Sequence, residues 1–492
     1  MGPGQGERDV SAPPYHVVVV GGGIAGLAAA WYLGRDGGGR VRVSVLDGAP
    51  RVGGKLSVSE VAGVPVDEGA ESMLARRPEG RDLARAAGLG DRLRDPGTLA
   101  AGVWSRGELR PMPEGSVMGV PADLAALARS GVLSPAGLAR VPLDRVLPAT
   151  PVTSDVPVAA YIRARLGPEV VERLVEPMLG GVYAGRAEDL SLDATMPRLA
   201  AAARTHRSLL EAAQEIRDET PRDAGPVFTA LDGGMGTLPP AVAALSGADV
   251  RTGAMVRELR RTPTGWRLTV GPTRSPEVVE ADAVILAVPA APASRLLAED
   301  VPGAAAELAR IEYSSMAIVT LAYPRAAFPG TLDRSGYLVP PVERRTVKAV
   351  TFTTAKWPHL REYDRDLVVV RCSIGRLGEE RALQRDDAEL VAAAMAELAE
   401  TSGVRGLPRG TRVTRWGGAL PQYAVGHLDR VARIRAAVAA QPGLAVCGAA
   451  YDGVGIPACV ATARTAAGRV LDHLDPGGEW RHDGRQPQAQ GA

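Results

Sequence analysis

Apolar positions along the chain change their spacing several times. At residues 17–20 the run VVVV is short, β-branched and bounded by glycine, which predicts a buried parallel strand. Helix follows at 27–33, and VRVSVLD at 41–47 predicts a second strand. From about 81 to 225 the pattern is mostly helical. In VAAYIRARLGPEVVERLVEPML, 158–179, apolar residues recur every three or four positions, and Gly167-Pro168 splits the stretch into two helices. Strand patterns return at 266–270, 283–289, 316–323, 347–352 and 367–374. A last strand, 444–448, precedes a closing helix from about 456 to 474. Residues 1–14 and about 476–492 are rich in Gly, Pro and Gln and predict disordered tails.

The opening unit, HVVVVGGGIAGLAAAWYL at 16–33, is almost wholly apolar or glycine, yet it does not read as a membrane anchor. A spanning helix needs about 20 mostly apolar residues, and three consecutive glycines would weaken it. The preceding MGPGQGERDVSAPPY carries acids as well as arginine, so the expectation is no secretory signal and a cytoplasmic protein. Gly21, Gly23 and Gly26 instead have G-x-G-x-x-G spacing. The first allows a tight turn, the second lets a pyrophosphate approach the backbone, and the third lets helix and strand pack closely. Asp47 ends the next strand, roughly 20 residues on, where a carboxylate can grip ribose hydroxyls. The other reading of Asp47 is a helix cap in a nucleotide-free α/β unit.

A second glycine-rich approach to a helix lies at the far end of the chain, in GAAYDGVGIP before the closing helix. It is either an ordinary connection or the chain's return to complete the pocket, with helix N-terminal amides against another electron-rich part of the ligand. A flavin fits the second reading, because its ring system lies well beyond the pyrophosphate.

Composition narrows the field. A chain of 492 residues predicts two or three domains. With 57 basic against 56 acidic residues, no nucleic-acid partner is implied. Only three of the basic residues are lysine, Lys55, Lys348 and Lys356, which reads as coding bias with little mechanistic content. Cys372, Cys447 and Cys459 form no C-x-x-C pair, so neither a disulfide framework nor a metal site is indicated. The six histidines are scattered and read as structural or solvated. No catalytic residue is assigned.

RVGGK at 51–55 and VDEGAES at 66–72 resemble the flavin-dependent amine oxidase and protoporphyrinogen oxidase superfamily. The resemblance narrows to porphyrinogen oxidases through EPMLGGVYAGRAEDLSLDATMP (176–197), LDGGMGTLP (231–239), IEYSSMAIVTLAY (311–323), RWGGALPQYAVGH (415–427) and CGAAYDGVGIPACV (447–460). It implies an α/β fold: a discontinuous Rossmann-like FAD-binding domain (15–80, 226–295 and 410–475), a helical lobe (81–225) and a mixed-sheet substrate domain (296–409). It also implies FAD contacts from Gly21, Gly22, Gly23, Ile24, Ala25 and Gly26, then Asp47, Gly54 and Lys55. Further contacts are implied for Gly69, Ala70, Glu71 and Ser72, for Val256 at the adenine, and for Trp416, Gly448, Gly455, Ile456 and Pro457 toward the flavin ring. Asp47 stands where these families mostly have Glu; its shorter side chain could still reach a ribose, directly or through water.

The function so implied is FAD-dependent oxidation of a porphyrinogen in haem biosynthesis, with O2 as acceptor and H2O2 released. Arg76 and Arg77 are candidates to clamp a substrate propionate, or are a solvated basic pair. Few large aromatics, 4% of the chain, favour a soluble enzyme, with loose membrane association left open and no transmembrane segment expected. The Ala-, Arg- and Gly-rich chain is most similar to the soluble coproporphyrinogen III oxidases of Gram-positive bacteria. Protoporphyrinogen IX oxidase, an amine oxidase or desaturase on the same scaffold, and a non-catalytic FAD-holding protein are the alternatives. Hand-over of product to a chelatase stays open.

Overall fold

The computed structural model describes residues 14–219 and 225–476. Apart from residues 14 and 476, the expected tails lie outside the described residues. A five-stranded parallel sheet is assembled from distant parts of the chain, in the order Asp249–Arg251, Val41–Leu46, Tyr15–Val20, Ala283–Leu286, Leu444–Val446. The opening strand lies at its centre and is buried on both faces. Val17 and Val19 point into a core shared with helices Ile24–Gly37, Leu238–Ser246 and Ile456–Leu474. Val18 and Val20 point into a core on the opposite face, shared with Trp266, Leu268 and Leu297. Each valine so buried contributes about 1.5–3 kcal/mol, which is why the run carries no polar alternation.

A seven-stranded sheet forms the second layer, in the order Gly410–Pro421, Tyr313–Pro324, Leu367–Ile374, Val347–Phe352, Gly336–Leu338, Ala101–Ser105, Glu108–Pro111. It is antiparallel except where Gly336–Leu338 meets Ala101–Ser105. One face packs on helix Asp387–Ser402 through Val319, Val370 and Val350. The other turns toward the parallel-sheet half, and part of it is covered by the hairpin of Val58–Val61 and Val64–Asp67, where Val61, Val64 and Val66 meet Ala322, Leu367 and Val369.

The helices between Leu124 and Asp218 pack around their own core, with Val158, Ile162, Leu174 and Leu210 fully buried or nearly so. Pro168 opens the second helix of the 158–179 stretch, as expected, but Val171–Val175 is a π-helical turn. Pro177 has no N–H to give Arg173, so the ladder slips and Glu176 bonds back to Val171. Within 81–225, read as mostly helical, Ala101–Ser105 and Glu108–Pro111 are strands of the mixed sheet. Two predicted strands end early, at Leu286 and Val446, the latter because Gly448 takes φ +119° and leaves the extended region.

Candidate functional site

After Val20 the chain turns through three glycines that do different things. A Cβ on Gly21 would lie 2.7 Å from the carbonyl oxygen of Ala287, and one on Gly26 only 1.9 Å from that of Gly21. Strand and helix therefore meet at a separation that no side chain allows. Gly23 is extended, caps helix Ile24–Gly37 without a side-chain bond, and would meet nothing within 4 Å if given a Cβ. Two glycines serve packing; the second opens onto free space before a helix N-terminus. Gly54, at φ +57°, stands beside it, with the Cβ position 3.5 Å from Gly23 Cα.

Lys55 comes next, its ammonium 5.5 Å from the ring centre of Tyr313. Burial pulls its pKa down, and among the described residues no carboxylate pairs with it. Ile24 and Ala25 begin the opening helix, and the closing helix Ile456–Leu474 packs along it. Gly455 caps that second helix, again with extended backbone and no side-chain bond, with Pro457 at its first turn. Gly448 is anchored by Thr462 Oγ1 at 3.0 Å and lies against Ala25. Two uncapped N-termini from opposite ends of the chain thus stand on neighbouring helices.

On the other side, Asp47 accepts the N–H groups of Gly22 at 2.5 Å and Ala49 at 2.7 Å. Ala254 N–H bonds to Asp47 O at 2.8 Å, which brings Val256 beside this corner. Toward the mixed sheet, Trp416 Nε1 donates to Glu68 O at 2.7 Å, and a Cβ on Gly69 would lie 2.0 Å from Lys55 O and 3.5 Å from the Trp416 ring. Residues 69–72 therefore lie between the glycine-rich half and the sheet.

Glu71, expected among the FAD contacts, has its side chain engaged within the protein. Its carboxylate pairs with Lys356 Nζ at 2.6 Å and Arg371 Nη1 at 2.5 Å. Burial works against the charge, but the two cations prevail and hold it down at about 2. What Glu71 can offer a ligand is its backbone. Arg76 is exposed, while Arg77 pairs with Glu79 at 2.6 Å at the start of helix Pro78–Ala86, so the two guanidiniums are not gathered on one carboxylate site. Lys356 and Arg371 escaped sequence reasoning. The only signal was the scarcity of lysine: all three lysines occupy enclosed positions, Lys348 being 5% exposed.

Open space before Gly23, two uncapped helix N-termini and an enclosed ammonium without a carboxylate suit a dinucleotide with an anionic diphosphate. On the proposed reading the Gly21–Gly26 turn, Gly54 and Lys55 would face its diphosphate, Asp47 and Val256 its nucleoside end, and residues 69–72, Trp416 and the closing helix its ring end.

The model of the family described as flavin containing amine oxidoreductase matches residues 24–471. The coproporphyrinogen III oxidase of Mycobacterium tuberculosis (strain ATCC 25618 / H37Rv) is 38% identical over 94% of this chain and 98% of its own. That of Bacillus subtilis (strain 168) is 32% identical over 93% and 98%. A crystal structure from Exiguobacterium sp. 255-15 superposes with a TM-score of 0.81 at 31% identity, covering 93% of this chain and 98% of the other. The chain belongs to the flavin-containing amine oxidoreductase family, and its cofactor is FAD.

Proposed function

We propose that this chain oxidises coproporphyrinogen III to coproporphyrin III in haem biosynthesis, passing the electrons to O2 and releasing H2O2. The substrate loses six hydrogens, so three turnovers each consume one O2 and yield one H2O2. Bound FAD supplies the acceptor for each hydride-type transfer. Aromatisation of the macrocycle drives the reaction, and the protein's task is to orient the substrate and exclude water.

The observation that carries this reading is the sheet face beside residues 69–72. Beyond Arg371 that face continues through Ser373, with its cross-strand partners Ile318 and Ala349 on either side, Leu338 beyond Ala349, and Met316 two residues along from Ile318. Helix Glu176–Val182 stands over its far end, with the Cβ position of Gly181 3.6 Å from Leu338 and Val182 39% exposed. An apolar wall next to the ring end of the cofactor suits a flat macrocycle. The names of the curated relatives support the substrate. Arg76, exposed, and Arg77, half-buried and paired with Glu79, stand at the start of helix Pro78–Ala86 and are proposed to hold its propionates. Among the described residues no helix is long and apolar enough to cross a membrane. A chelatase is the class of partner that would take the product.

The test is to mix FAD-loaded protein with coproporphyrinogen III or protoporphyrinogen IX. Anaerobic bleaching of the flavin, porphyrin fluorescence and peroxide should all favour the tetrapropionate. Faster turnover of the divinyl substrate would reassign the enzyme, and a flavin that stays yellow with both would make it a binding protein.

A further inference from the structure

One arginine ties the turn at 69–72 to the mixed sheet. Arg371, on strand Leu367–Ile374, donates Nη2 to Gly69 O at 2.6 Å and Nη1 to Glu71 at 2.5 Å, and Lys356 takes the other carboxylate oxygen at 2.6 Å. Arg371 sits where the sheet face passes from the hairpin-covered part, at Val369, to the open part, at Ser373.

Under this triad lies a chamber of about 20 Å³, walled by Asp67, Glu71, Thr353, Trp357, His359 and Arg371 among others. Three buried polar atoms of residues in that wall have no hydrogen-bond partner among the described residues: Thr353 Oγ1, Trp357 Nε1 and Arg371 Nε. Their residues are 4%, 2% and 7% exposed. Orphaned buried donors are costly, and the volume suits a single water molecule. Trp357 Nε1–H and Arg371 Nε–H can only donate, Asp67 can accept, and Thr353 can do either. A water matches that set, accepting twice and donating twice. A bound anion would match the donors but would face the Asp67 carboxyl.

We propose that this chamber holds one ordered water shared by Trp357, Thr353, Asp67 and Arg371 Nε, and that Arg371, fixed in this way, is a positioning residue for the flavin. The proposal rests on the reading that residues 69–72 contact FAD. Arginine is needed because three of its donors are used in three directions, whereas lysine would keep the Glu71 charge pair and lose the rest of the fork.

The experiment compares FAD-loaded wild type with Arg371→Lys and Trp357→Phe. For Arg371→Lys the FAD dissociation constant should rise about tenfold, with the flavin absorption bands shifted and a melting temperature of the apoprotein close to wild type. A high-resolution crystal structure of the wild type should show the water within hydrogen-bond distance of Trp357 Nε1 and Arg371 Nε, and Trp357→Phe should lose it and release FAD faster. An empty chamber in the wild type, or Arg371→Lys with unchanged FAD affinity and spectrum, overturns the proposal alone. A wild type that takes up no FAD overturns the site reading with it.

Discussion

The carboxylate of Asp47 accepts the backbone N–H of Gly22 at 2.5 Å, across the mouth of the glycine turn. Its second oxygen takes Ala49 N–H at 2.7 Å, so one side chain holds two loops in register. Asp47→Asn keeps the size but turns an amide toward one of these donors. Hydrogen bonds to a charged group are worth about 1.5–3 kcal/mol, so the variant should bind FAD at least tenfold more weakly. Isothermal titration with FAD measures this, and unchanged affinity would remove Asp47 from the site.

Gly23 and Gly26 should fail in different ways. Gly23→Asp has room for its side chain and an ordinary backbone, so the protein should fold and melt normally yet purify colourless, its carboxylate facing the diphosphate. Gly26→Ala places a methyl 1.9 Å from Gly21 O and should cost several kcal/mol, leaving little soluble protein. A yellow Gly23→Asp protein would count against the pocket assignment.

Acid should weaken the fold through His427. The ring is fully buried, stacks on Tyr423 at 3.9 Å and shares Nε2–H with Tyr451 O at 2.9 Å. Burial, aided by Arg430 and opposed by the Tyr451 carbonyl, lowers its pKa to about 4. The unfolded chain takes up this proton near pH 6.5 and the folded one only near 4. Stability is therefore fully present above 6.5 and falls between 6.5 and 4, by about 3 kcal/mol from this group. The slope of melting temperature against pH in that window should flatten in His427→Gln; an unchanged slope would assign the acid sensitivity elsewhere.

The clamp proposed for Arg76 and Arg77 can be tested by comparing substrates. Arg77 already pairs with Glu79, at 32% and 23% side-chain exposure. Together, Arg76→Ala and Arg77→Ala should raise KM about tenfold for the tetrapropionate and much less for the divinyl substrate. Steady-state kinetics on both porphyrinogens decides, equal effects ending the clamp idea.

The helical lobe depends on one buried ion pair. Arg165 and Asp144, fully buried, meet at 2.5 Å, and Arg165 also donates to Pro148 O at 2.5 Å and Arg207 O at 2.8 Å. Arg165→Met leaves an unpaired carboxylate and should cost about 3–5 kcal/mol in urea unfolding.

Local pattern announced the elements whose burial is uniform. Strands Val347–Phe352 and Leu367–Ile374 and helix Ile456–Leu474 begin and end where periodicity places them. Gly410–Pro421, which carries Trp416, went unseen because its alternating charges and paired glycines, GTRVTRWGGALP, resemble a loop until Tyr313–Pro324 pairs with it. Charged VRELRR, Val256–Arg261, is strand for the same reason.

By itself the sequence determined the glycine turn, because a tight turn, a close backbone approach and a close helix contact each demand glycine at a local spacing. It also determined the buried strand behind that turn and the second glycine-to-helix junction at the far end. Only the tertiary structure decided that Glu71 is spent on Lys356 and Arg371, residues 285 and 300 positions away. A charge pair is defined by separation in space, and nothing in the spacing of letters records which distant cation will be buried beside a given carboxylate.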